Sequence, residues 1–214
     1  MNNYRIVPLY LLTIVFIVTF LACAGSPEKR RGSESDESAG TESKTVPGVE
    51  KIELDSIDLI PARAPLNQTF DNVIFRSFES TEQLKKDYPY ACESCKASIM
   101  AQLVSKKNYK NVTDDINQRL SGNSVFVDMR VVDMRIAGTQ ARIWGGAFAG
   151  NSYMDILVEL RDADSEKVLH KKVLSATNNP MAAAWTFGAS DRSLPSDLGT
   201  LIGEYLSRII PGSK

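Results

Sequence analysis

The sequence predicts an α+β domain: a mixed sheet of about five strands with helices packed on one face. Three observations lead to this fold class. Strand-like alternation recurs in consecutive segments between Val125 and Ala176. Apolar residues recur at helical spacing in two stretches, Cys92–Val104 and Leu198–Ile209. A β-rich hexapeptide, Val73–Phe78, precedes the first of those helices, so strands and helices interleave. The chain has 214 residues, enough for one domain at roughly 100–200 residues each, with appendages. We divide it into an N-terminal segment 1–22, a tail and docking arm 23–66, and a single domain 67–214.

Met1 to Ala22 begins with a short polar stretch carrying Arg5 and continues as an apolar run from Ile6. That run is shorter than the roughly 20 residues a spanning helix needs. It has the proportions of a secretory signal peptide. The run ends in Phe20-Leu21-Ala22-Cys23, which resembles a bacterial lipobox, with Phe20 where Leu is more usual. The resemblance implies cleavage before Cys23 and acylation of its thiol, a palmitate-type modification. At about 0.8 kcal/mol per buried methylene, several acyl chains hold a protein stably at a membrane. Ala24 rather than Asp follows Cys23, which by resemblance to enterobacterial sorting favours the outer membrane, with the domain facing the periplasm.

From Ala24 to about Pro47 almost no residue is apolar, so ordering this stretch gains too little burial to offset its entropy. It reads as a flexible tether with a typical span of about 25–30 Å. Val49–Ile60 then interleaves Ile52, Leu54, Ile57 and Leu59 with acidic residues, a weak strand or docking arm ended by Pro61.

Within the domain, Val73–Phe78 reads as a strand, and Asp87-Tyr88-Pro89 as the start of a helix running to about Lys107. Its inner stripe is Cys92, Cys95, Ile99 and Leu103. Asn108–Val112 is a short strand. In the long segment Val125–Ile136, Val-Asp-Met-Arg at 127–130 recurs at 132–135, an offset of five. An odd offset cannot keep one face inward in a period-two strand, so a bulge is expected near Val131–Val132. Gly145-Gly146 reads as a flexible hairpin loop. Tyr153–Arg161 and Lys167–Ala176 are strands about a turn at 162–166, the second at the sheet edge with His170 on a charged face. Pro195-Ser196-Asp197 opens the final helix, which Pro211-Gly212 stops.

This pattern, from about Asn72 to Leu206, resembles a family of bacterial envelope lipoproteins known only as a domain of unknown function. The likeness rests on Val73-Ile74-Phe75, Ile99 and Leu103, the Gly145-Gly146-Ala147 break, Val158-Glu159-Leu160-Arg161-Asp162 before a hairpin, and Ile202 with Tyr205-Leu206. The order of elements is similar to the periplasmic domains of the curli-export lipoprotein and of penicillin-binding-protein activator lipoproteins. The family often carries Gly in the hairpin, where this chain has Ser165-Glu166. The resemblance implies partners in cell-wall synthesis or secretion, and it carries over no catalytic residue.

Charge and composition narrow the function. With 25 Lys+Arg against 26 Asp+Glu the net charge is −1, which argues against a nucleic-acid partner. A single His and three Cys offer neither a His-rich metal site nor a disulfide scaffold, so we expect no metal, no cofactor and no enzyme activity. Cys92-Glu93-Ser94-Cys95 is the sharpest chemical motif: two packed thiols, a local disulfide, or a thiol-disulfide redox pair. The aromatic and Met side chains in apparent loops, Trp144, Phe148, Met181, Trp185 and Phe187, are candidates for contact with a partner or bilayer. The leading expectation is a membrane-anchored protein that binds an envelope partner or assembles with itself.

Overall fold

The structure is a computed structural model that describes residues 45–179, 185–186 and 188–214. The expected signal peptide, Cys23 and most of the tether lie outside these residues, as do Met181 and Phe187. Six described strands form one mixed sheet: β1 (Lys51–Glu53), β2 (Asn72–Glu79), β3 (Asn111–Thr113), β4 (Ser124–Arg135), β5 (Ser152–Asp162) and β6 (Val168–Asn178). Their order is β1-β6-β5-β4-β2-β3. β4, β5 and β6 make the antiparallel meander, whereas β2 runs parallel to both β3 and β4. The described helices are α1 (Glu82–Asp87), α2 (Ala91–Lys106), α3 (Thr139–Gly145) and α4 (Ala189–Ile209).

The expected α+β class holds, with one strand more than the sequence indicated. The extra strand comes from the docking arm: Lys51–Glu53 pairs in parallel with Val173–Ser175. Consequently β6 is not the edge strand expected from its lysines. His170 is half-buried rather than solvated, with Nε2 3.1 Å from the Tyr205 hydroxyl. Ile52, Leu54 and Ile60 of the arm are buried in the core, where apolar burial offsets the cost of ordering it.

The odd-offset repeat does what strand geometry requires. Val131 pairs with Ile156 and Asp133 with Asp155, leaving Val132 as the extra residue. Val125, Val127, Met129 and Val131 are buried before the bulge, and Met134 after it. Elsewhere proline moves boundaries. The helix expected from Asp87 to about Lys107 is α2, and a further short helix, α1, precedes it. α1 is capped by Thr81, whose hydroxyl accepts from Leu84 N–H, and Pro89 separates it from α2 because its ring and missing N–H block continuation. α4 begins at Ala189, ahead of the expected Pro195, which lies inside it. At the β5–β6 turn Glu166 has φ 55°, in the left-handed region that favours glycine. Its carboxylate accepts two hydrogen bonds from Arg76 Nη1, at 2.9 and 3.0 Å.

α2 and α4 pack together over one face, burying Cys95, Ile99 and Leu103 against Leu198, Ile202, Leu206 and the inward residues of β2, β4 and β5. Among the described residues no helix covers the opposite face. There, the alkyl stems of an ion-paired lattice lie over the sheet. Arg76 pairs with Asp128 and stacks 4.8 Å above the Phe126 ring, Lys171 pairs with Glu159 at 2.7 Å, and Lys51 with Asp155 at 2.8 Å.

The α2–α4 contact depends on two glycines one helical turn apart. A Cβ at Gly199 would lie 2.4 Å from the Cys95 carbonyl oxygen, and one at Gly203 would lie 2.6 Å from Gln102 Cβ. Alanine normally gains about 1 kcal/mol over glycine inside a helix. Here overpacking against backbone outweighs that gain, and Gly199→Ala should lose about 1–3 kcal/mol of stability in urea unfolding. Gly138→Ala, where nothing lies within 4 Å, should be close to neutral in the same measurement.

Candidate docking rim at one end of the sheet

Between β4 and β5 the chain forms α3 and a 3-10 turn, Gly146–Ala149, in place of the flexible hairpin loop expected from Gly145-Gly146. The glycines end structure rather than dissolve it. Gly146 has φ 53° and closes α3 by donating to the Arg142 carbonyl, and Gly150 has φ 83° and closes the 3-10 turn. Both backbone conformations are costly for residues with a Cβ.

Three arginines fasten this shelf. Arg142 turns inward and is 1% exposed. Its Nε donates to Asp191 Oδ2 at 2.7 Å and its Nη2 to Oδ1 at 3.1 Å, a bidentate pair with both side chains fully buried. Arg192 Nη1 donates to Thr139 Oγ1 at 2.9 Å, holding the start of α3. Arg135 Nη2 donates to the Ala149 carbonyl at 3.1 Å, holding the end of the 3-10 turn. Burial pushes the Asp191 carboxyl upward, but hydrogen bonds from Arg142, Ser152 and Asn178 and the Arg142 charge hold it below its ordinary value of 3.8. Ser152 also accepts from the Ala137 N–H at 2.9 Å, so the pair is tied to the first residue of β5.

The outward residues of the shelf are apolar. Ile143 is 53% exposed, Trp144 89% and Phe148 99%. Trp185, 82% exposed, stands three residues before Gly188, where a Cβ would lie 3.4 Å from Arg142 Cγ. The structure therefore brings the described candidates Trp144, Phe148 and Trp185 to one end of the sheet. Beside them a hollow of about 360 Å³ is lined by Tyr88, Tyr90, Ile136, Arg192 and Pro195. Tyr90, 73% exposed, joins the rim without having been singled out in the sequence. Arg142 and Asp191 were missed as well. A lone Arg and a lone Asp, 49 residues apart, carry no local signal.

Of the three readings offered for Cys92 and Cys95, the structure has the free thiols, near the start of α2, rather than a local disulfide. Cys95 is fully buried among Ile99 and Leu103, and burial, then the neighbouring Cys92, push its thiol well above the usual range. Such a thiol supplies little thiolate, so nothing here supports the redox alternative. Asp114 pairs with Lys96 at 2.7 Å, and Asp162 accepts from Ser165 in the hairpin turn, both structural roles. Among the described residues no group of three or more His, Cys, Asp or Glu is placed to hold a metal.

Asp191→Asn should destabilise the domain by about 3–5 kcal/mol, because the buried Arg142 charge loses its counter-ion. Arg142→Met combined with Asp191→Leu should recover most of that loss, which urea unfolding of the three variants measures. Since the folded carboxyl lies below 3.8, the pair's contribution is intact at neutral pH and is lost as pH falls below that value.

A family model described as a domain of unknown function, DUF4410, matches residues 46–184. A search of curated proteins found no match. Solved structures show distant likeness. A PelC dodecamer from Paraburkholderia phytofirmans is 14% identical, covering 69% of this chain and 95% of that one at a TM-score of 0.44. A Xanthomonas campestris protein of the DUF330 family is 9% identical, covering 74% and 94% at a TM-score of 0.46. A hypothetical protein from Chlamydia trachomatis is 12% identical, covering 66% and 95% at a TM-score of 0.40. With most of the domain inside the matched family model, the chain belongs to the DUF4410 family, a domain of unknown function.

Proposed function

We propose that this chain is a membrane-anchored envelope lipoprotein that works by contact rather than catalysis, using the aromatic shelf as its docking surface. The anchor is the acylated Cys23, the outer membrane its location and the periplasm the space its domain occupies. No described helix is long and apolar enough to cross a membrane. The observation that carries the docking role is the exposure of Trp144 and Phe148 on a segment held by three arginines. Large apolar side chains left in water are costly, and a rigid mount keeps them from folding back onto the domain. A preorganised surface also loses less entropy when it meets its target. The tether adds a second effect by confining the domain near the membrane, which raises its effective concentration toward whatever it contacts there.

A photoreactive residue placed at Phe148 in the native cell should give covalent adducts with an envelope component. The same residue at Val104, exposed near the far end of α2, should give none. Trp144→Ala should weaken the Phe148 adduct while changing stability by less than about 0.5 kcal/mol, as expected for an exposed side chain. Equal labelling at both positions would remove the shelf from this role.

A further inference from the structure

We infer that the surface met by the shelf is the lipid bilayer itself, so that Trp144, Phe148 and Trp185 seat the domain in the membrane interface. This rests on the lipoprotein reading above and deepens it by naming what the rim touches.

Phe148 at 99% and Trp144 at 89% exposure have almost no protein neighbours, so they are protruding tips. Anchors of protein–protein contacts concentrate in packed, desolvated patches and pockets. Separate amphipathic tips suit the headgroup layer, where tryptophan is enriched because its ring is apolar and its N–H polar.

Thr45–Pro47 lie beside Thr81 and Arg130–Val132, while Lys51 pairs with Val173 on the far side of β5 and β6. Residues 45–51 therefore cross the helix-free face, and the tether leaves from β4. Val132 is three residues, or about 10 Å, from Arg135, which holds the end of the 3-10 turn. Twenty-one residues separate Cys23 from Thr45, and a chain of that length reaches at most about 70 Å. An acylated Cys23 and the aromatic tips therefore reach the same membrane without the domain turning over.

Exposed Arg135 and Arg192 stand at the base of the shelf, with Asp133 two residues from Arg135 and Asp87 across the hollow from Arg192. Arginines behind aromatic tips match phosphate headgroups at the depth where the rings would sit. The acyl chains hold the protein at the membrane, and the shelf fixes which way it faces. The ion-paired face and the α2–α4 layer then stand at a set angle to the bilayer.

The chain's two tryptophans, Trp144 and Trp185, are both in the rim, so selectively excited tryptophan emission reports on this surface alone. The acylated full-length mature protein is reconstituted in phosphatidylethanolamine–phosphatidylglycerol vesicles, with and without brominated acyl chains. Tryptophan emission should shift to shorter wavelength on reconstitution, and the brominated chains should quench most of it. Trp144→Phe should remove much of the quenched signal while leaving flotation with the vesicles intact. Protein that floats but keeps water-like, unquenched emission would overturn the inference and leave the lipid anchor standing. Shifted emission in vesicle-free solution, unaltered by brominated lipid, would also overturn it by showing that protein covers the rim. Quenching retained by a Cys23→Ser chain without acylation would uphold the bilayer contact and separate it from the anchor.

Discussion

The buried ion pair between Arg142 and Asp191 is the contact on which this end of the molecule depends. It joins a seven-residue helix in the β4–β5 connection to the first turn of the closing helix, through Nε–Oδ2 and Nη2–Oδ1 bonds of 2.7 and 3.1 Å. A helix that short is marginal in water by itself. Here Arg142 fixes its inner face, and Ile143 and Trp144, next in sequence, turn outward. Burying both charges carries a large desolvation cost, repaid only when geometry and further hydrogen bonds are good, as Ser152 and Asn178 provide. A pair of this kind is a poor source of stability and a good source of register. It fixes where α3 sits while contributing less than apolar packing would.

The sheet beneath has two chemically different faces. One takes the α2–α4 layer, whose close approach needs Gly199 and Gly203. The other is finished with ion pairs, of which Arg76 lies over Phe126. His170 shows how tightly the arm closes the remaining edge. Burial, then Lys172 and Arg63, hold its pKa below 6.5, with Glu50 opposing. The arm thus joins the tail to the core through β6 rather than leaving the domain on a free linker.

Much of this fold was legible where a side-chain period was long and clean. β4, β5, α2 and α4 each carry eleven or more residues of regular patterning, and the five-residue repeat located the β4 bulge because parity leaves no alternative. Short or non-local features were not legible. β1 has three residues, and its pairing with β6 is decided by core positions more than 120 residues away. The α3 shelf was mistaken for a loop because Gly145-Gly146 matches a helix ending as well as a flexible turn. What distinguishes the two is Asp191, remote in sequence. Trp144, Phe148 and Trp185 were recognisable as candidates because large aromatics in apolar stretches without periodicity need a reason to be there. Their shared location required the structure.

Arg142 and Asp191 mount the aromatic tips rigidly. Amide hydrogen exchange tests it most directly, at the Arg142 N–H bonded to the Gly138 carbonyl and the Gly146 N–H bonded to the Arg142 carbonyl. The account predicts slow exchange at both in the native protein, and fast exchange in Asp191→Asn while β5 amides stay protected. Native-state exchange at Arg142 and Gly146 as fast as in the exposed loop at Ser121–Gly122 would contradict it.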